Sequence, residues 1–190
     1  MQIYIVSGEK SGDLHGANLA KEMMKQNTKI QLRAFGGDRM IEEGVEVVKH
    51  INELAFMGFT DVIRNLSKIK KTLDFCKKDI SDFNPDAIIL IDYPGFNLKI
   101  AKFAKEKRIR VFYYISPKVW AWKKSRIELI RKYVDELIVI FPFEVEYFKK
   151  KGIDVHYFGN PLSDELFKEI PIIANPSNKN IIAILAGSRK

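Results

Sequence analysis

The chain has little that would tie it together covalently or through a metal. One cysteine, Cys76, in 190 residues excludes a disulfide framework and a multi-cysteine metal site. It falls within a helical pattern and reads as a small buried hydrophobe. His15, His50 and His156 lie far apart, with nothing like HExxH spacing, and the latter two read as ordinary strand residues. No apolar run approaches the ~18 residues that a membrane-spanning helix needs. Met1 leads straight into Ile3-Tyr4-Ile5-Val6 without a secretory leader, so the expectation is a cytoplasmic protein. There is no internal repeat or low-complexity tract. With 46% hydrophobic and 12% aromatic residues, wholesale disorder is excluded.

Charge is the first positive feature. Lys and Arg number 32 against 24 Asp and Glu, a net +8. The excess is local, because residues 99–132 hold 12 basic side chains and only two acidic ones, Glu106 and Glu128. Such a segment calls for an anionic partner, nucleic acid or a membrane surface, unless its lysines merely solvate helix faces.

Apolar periodicity predicts strands at residues 3–7, 30–36, 45–51, 87–91, 111–115, 137–141 and 155–158. Helices are predicted at 13–26, 61–79, 98–107, 123–133 and 142–151, the last opened by Pro142 and closed by Gly152. The alternation implies an α/β fold with a doubly wound parallel, Rossmann-like sheet and right-handed crossovers. This domain covers 1–160. Pro161, Pro171 and Pro176 mark 161–180 as a linker, and residues 181–190, a strand and a Gly-Ser-Arg turn, read as the start of a second domain or as the last strand of a single one.

In such a sheet ligands gather at the carboxyl ends of the strands. The first strand runs into Ser7-Gly8-Glu9-Lys10-Ser11-Gly12-Asp13-Leu14-His15-Gly16, whose glycines permit close approach to a ligand ahead of a helix N-terminus. The spacing is neither GxGxxG nor a P-loop. Glu9 and Ser11 are loop candidates for binding; Asp13 is one too, or a helix cap. The 87–91 strand ends at Asp92, a carboxylate costly to desolvate without a role and well placed as a general base. Asn97 is a site candidate or an N-cap. After the 111–115 strand come Trp120 and Trp122 among Lys118, Lys123 and Lys124, a cluster suited to a base, a sugar or a membrane interface. The segment 56–73 sets Val62, Ile63, Leu66, Ile69 and Leu73 on one stripe and Arg64, Lys68, Lys70 and Lys71 elsewhere, as an interfacial or a sheet-packed helix would. Its apolar lead favours membrane contact through Phe59, Val62, Ile63, Leu66 and Ile69.

The motifs SGEKSGDLHG (7–16), LAFMG (54–58), IDYPGFN (91–97), YISPKVWAW (114–122), FPFE (141–144), FGNP (158–161) and LAGSR (185–189) together resemble the lipid-A-disaccharide synthase family, two-domain B-type glycosyltransferases. The match runs over essentially the whole chain and corresponds to that family's N-terminal half. Gly95 departs from the Asp that some members carry, so position 95 is given no role.

The resemblance implies an inverting transfer. UDP-2,3-diacylglucosamine would glycosylate the 6-hydroxyl of 2,3-diacylglucosamine 1-phosphate (lipid X), giving a β-1,6-linked disaccharide 1-phosphate and UDP. It implies Asp92 as the base. It implies substrate contacts at Glu9, Ser11, Gly12, Asp13, Met57, Asn97, Trp120 and, near the donor pyrophosphate, Arg189. No metal or cofactor is implied. The partners would be these lipids and the cytoplasmic face of the inner membrane, with peripheral attachment and no nucleic acid; a homo-oligomer is left open. By itself the 190-residue chain is expected to be inactive. The alternatives are another UDP-sugar enzyme of the same fold, an epimerase or a lipid-linked N-acetylglucosaminyl transferase, or a basic non-enzymatic binding module.

Overall fold

The computed structural model describes residues 1–54, 66–120 and 125–169. The chain divides into Met1–Asn160 and Pro161–Lys190. The first unit runs β1 (Gln2–Val6), α1 (Lys10–Gln26), β2 (Gln31–Gly36), α2 (Asp38–Glu42), β3 (Glu46–His50), a 3-10 turn (Ile51–Glu53), α3 (Leu66–Phe83), β4 (Ala87–Ile91), α4 (Pro94–Glu106), β5 (Arg110–Tyr114), α5 (Arg126–Tyr133), β6 (Glu136–Val139), α6 (Pro142–Lys149) and β7 (His156–Tyr157). In the second unit α7 (Pro161–Glu169) is described, so the first half of the expected linker is helical.

The seven strands form one sheet in the order β3-β2-β1-β4-β5-β6-β7. Every pairing is parallel. This is the doubly wound sheet expected from the alternation of strands and helices. Side chains alternate across each strand, so a strand covered on both sides must be apolar throughout. β4 is, with all five residues buried. Tyr4, Val6, Ile88 and Leu90 join one core with Leu73, Cys76 and Ile80 of α3 and Ile100 and Ala104 of α4. Ile3, Ile5, Ile89 and Ile91 join the other, with Ala17 and Ala20 of α1 and Met40 of α2. Cys76 is fully buried and burial pushes its thiol well up, which makes it the inert hydrophobe its setting suggested.

A polar tie fixes α3 to the sheet. Asp79 accepts the Tyr4 hydroxyl at 2.7 Å and the Arg33 guanidinium at 2.9 and 2.7 Å. Burial would raise the Asp79 carboxyl, but the Arg33 and Tyr4 hydrogen bonds overcome it and hold the group below its ordinary value. Some local expectations shift. α1 begins at Lys10 rather than at Asp13, so Ser11 lies in its first turn and not on a loop; α2 was not expected; α3 runs on to Phe83; and α4 begins at Pro94 rather than at Leu98. Among the described residues no helix is long and apolar enough to cross a membrane.

Candidate active site

The chain leaves β1 for one neighbour, β2, and comes back to its other neighbour, β4. The crevice outside the carboxyl ends of β1 and β4 is therefore the switch point at which ligands bind in this architecture. Two loops meet there. In the first, Ser7 is buried and its N–H donates to the Phe35 carbonyl at 3.0 Å. Gly8 lies beneath the Tyr93 ring, where a Cβ would come within 2.5 Å of ring carbons. Only glycine fits this approach, and it locks the first loop to the second. Glu9, the N-cap of α1, and Ser11, in the first turn of that helix, are exposed.

The second loop is strained. Asp92 and Tyr93 both take left-handed backbone, with φ of 44° and 45°. Asp92 donates its N–H to the Tyr114 carbonyl at 3.3 Å. Its own carbonyl accepts from Tyr113 Oη at 2.5 Å and from Asn97 Nδ2 at 2.9 Å. Burial lifts the Asp92 carboxyl above the ordinary carboxylate range and the Glu9 charge adds to the lift, while Lys118, the Tyr93 N–H and Arg126 offset part of it. A carboxylate made more basic and placed beside cations can take a proton from a hydroxyl group.

A third group of residues follows β5 and β6. Glu144, 2% exposed, accepts the Ile140 and Phe141 N–H groups on Oε2 at 3.2 and 3.1 Å. Its Oε1 accepts the Ser116 hydroxyl at 3.0 Å and the Trp120 indole N–H at 3.3 Å. The carboxylate thus caps α6 and fastens the Ser116–Trp120 stretch to it. Trp120 stays 36% exposed and meets the exposed Phe143 edge-on at 5.1 Å.

The structure therefore brings Glu9 close enough to Asp92 for their charges to interact, with Ser11 exposed on the first turn of α1. Three of the expected substrate contacts are buried instead. Asp13 accepts the Gly37, Arg39 and Met40 N–H groups at 2.7, 3.1 and 3.3 Å, so it caps α2 rather than its own helix. Gly12 is buried, with a would-be Cβ 2.9 Å from that of Ser7. Asn97 is fully buried inside α4, not at its cap, and its Nδ2 also reaches the Ile91 and Val6 carbonyls at 3.1 and 3.3 Å. Met57, Phe59, Val62, Ile63 and Arg189 lie outside the described residues, as does the side chain of Leu66; Ile69 is half-buried on α3. Tyr113 and Glu144 were not singled out. A Glu three residues after a strand's last phenylalanine, with Pro142 between, was the available capping signal for the second.

The fold defines a class, a doubly wound, Rossmann-like parallel sheet with its crevice at the β1–β4 switch point. A UDP-GlcNAc 2-epimerase from Neisseria meningitidis, bound to UDP-GlcNAc, superposes with a TM-score of 0.63 at 14% identity, over 88% of this chain and 48% of that one. Another UDP-N-acetylglucosamine 2-epimerase gives 0.67 at 12%, over 93% and 53%. At such identities these likenesses speak for the fold alone. Sequence is more specific. The lipid-A-disaccharide synthetase family model matches residues 3–190, and the chain belongs to that family. The lipid-A-disaccharide synthase of Geobacter metallireducens is 37% identical over 195 residues, covering 100% of this chain and 51% of the relative. That of Coxiella burnetii is 37% identical over 197 residues, covering 99% and 52%. The chain spans about half the length of these relatives.

Proposed function

We propose that the full-length protein joins UDP-2,3-diacylglucosamine to 2,3-diacylglucosamine 1-phosphate as an inverting glycosyltransferase. The acceptor 6-oxygen attacks the anomeric carbon. The bond from that carbon to the diphosphate breaks, and UDP leaves with the electron pair. Asp92 takes the hydroxyl proton. One displacement inverts the centre and needs no covalent intermediate. The observation that carries this reading is the family match over residues 3–190; Asp92, a carboxylate at the switch point with its proton affinity raised by burial and by Glu9, supports its assignment as the base.

Lys118 and Arg126, whose charges act on Asp92, supply positive potential for a phosphate-bearing acceptor. The donor nucleotide would be held by the half of the relatives' length that lies beyond this chain, beginning near Arg189. Because both substrates carry acyl chains, the reading includes peripheral attachment to the cytoplasmic face of the inner membrane, with residues 56–69 against lipid, Leu73 of the same stripe being in the core, and the basic 99–132 segment toward anionic headgroups. The test is Asp92→Asn in the full-length protein, followed by UDP release. A base accounts for ~10²–10⁴-fold in kcat, with KM little changed. Weakened substrate binding with normal turnover of bound substrate would remove Asp92 from this role.

A further inference from the structure

We infer that Tyr113 and Asn97 are positioning residues that hold Asp92 in its working orientation through its backbone carbonyl; this rests on the base assignment above. Two successive non-glycine residues in left-handed backbone are costly and persist only where the surroundings over-determine them. Here the surroundings can be named. The Asp92 carbonyl accepts two donors from different elements, Tyr113 Oη from the end of β5 at 2.5 Å and Asn97 Nδ2 from the first turn of α4 at 2.9 Å. The two N–H bonds of the same Nδ2 are shared among the Asp92 carbonyl and the last carbonyls of β1 and β4, at Val6 and Ile91, 3.3 and 3.1 Å away. One amide thereby pins the turn to both strands of the switch point. On the other side the Asp92 N–H is held by Tyr114.

Neither side chain can act on substrate directly. Asn97 and Tyr113 are both 0% exposed. Burial and the Asp92 charge hold the Tyr113 phenol well above its usual value, so it remains an O–H donor. If the two donors are removed, the peptide after Asp92 is free to relax toward ordinary backbone, and the Cα–Cβ vector of Asp92 swings with it. A misplacement of about 1 Å costs up to ~10²-fold in rate without weakening ground-state binding.

The experiment is a double-mutant cycle in the full-length protein with UDP release as readout. Tyr113→Phe keeps the ring and its packing and removes only the hydroxyl. It is expected to lower kcat by about tenfold or more with KM for both substrates within about twofold. In an Asp92→Asn background the same change should have no further effect, since both act through one group. Asn97→Ser, too short to reach the carbonyl, approaches the clamp from its other side and should show the same coupling. Thermal unfolding of each variant confirms the fold. Tyr113→Phe and Asn97→Ser both leaving kcat within twofold while Asp92→Asn is inactive would overturn the clamp alone. So would an equal fall in both backgrounds. Normal turnover by Asp92→Asn would overturn the base reading and the clamp with it.

Discussion

Replacing Glu144 tests whether one buried carboxylate organises the third loop of the mouth. In Glu144→Ala the Ile140 and Phe141 N–H groups lose their shared acceptor, and so do the Ser116 hydroxyl and the Trp120 indole. The hydroxyl can turn toward the Pro117 carbonyl at 3.4 Å, and the indole, at a residue 36% exposed, can find water. The cost then falls on the two backbone donors, at about 1–3 kcal/mol each. A loss of about 3 kcal/mol follows, or roughly 6–12 °C in Tm for a chain of this size. Glu144→Gln should cost less, about 1–2 kcal/mol, because its carbonyl oxygen can still face both N–H groups while its NH₂ donates to Ser116. Urea unfolding gives the energies. The chain holds two tryptophans, Trp120 and Trp122, so emission reports directly on this segment. Glu144→Ala should shift it to the red and expose it to iodide. If both variants stay within about 0.5 kcal/mol of the parent with unchanged emission, the surface-substitution range, Glu144 does not hold the loop.

Two further outcomes are expected. The Asp92 carboxyl has a native pKa raised above its unfolded value, so the ionised form is disfavoured by folding; stability falls as pH rises from the unfolded pKa of about 4 through the native pKa, and then levels. Asp92→Asn escapes that loss. It should unfold at a higher temperature than the parent at pH 7, with the gap closing toward pH 4; a gap independent of pH would refute the argument. Second, changing Val62, Ile63, Leu66 and Ile69 together to Ser in the full-length protein should weaken sedimentation with anionic vesicles by more than about tenfold, each lost apolar contact being worth on the order of 1 kcal/mol at an interface. Unchanged vesicle binding would end the membrane reading of that segment.

The sheet was legible because its signals are local. AIILI between two aspartates can only be a strand covered on both faces, and β4 is that strand. Pro142 and Gly152 punctuate α6 as their backbone preferences require. What was missed depends on partners far along the chain. The five-residue α2 has little periodicity of its own and is capped by Asp13, which precedes it by a whole helix and strand. The start of α4 was placed late because Tyr93, its left-handed N-cap, offers no capping side chain, while Asn97 looks like a cap and in fact reaches across to β1. Asp92 was legible as a candidate because it follows β4 directly, and Glu9 because it lies between β1 and α1. Tyr113 escaped because its contact lies 21 residues away; Glu144 carried a local capping signal, but its tie to Ser116 spans 28 residues.

Comparison of the buried and half-buried carboxylates separates function from architecture. Asp13 is buried and spends its oxygens on three N–H groups. Glu144 is buried and meets four donors. Asp79 is buried against Arg33 and Tyr4, which hold it below its ordinary value. Each burial is compensated, and each group holds two elements together. Asp92 is not compensated in this sense. Its backbone is left-handed, its carboxyl is pushed up by desolvation, and Glu9 adds a like charge. Among the described Asp and Glu side chains with a resolved shift, it is the one driven toward the neutral form. These three costs fall on one residue. They match the proposed role of a proton acceptor, which needs a fixed direction and a raised affinity for the proton.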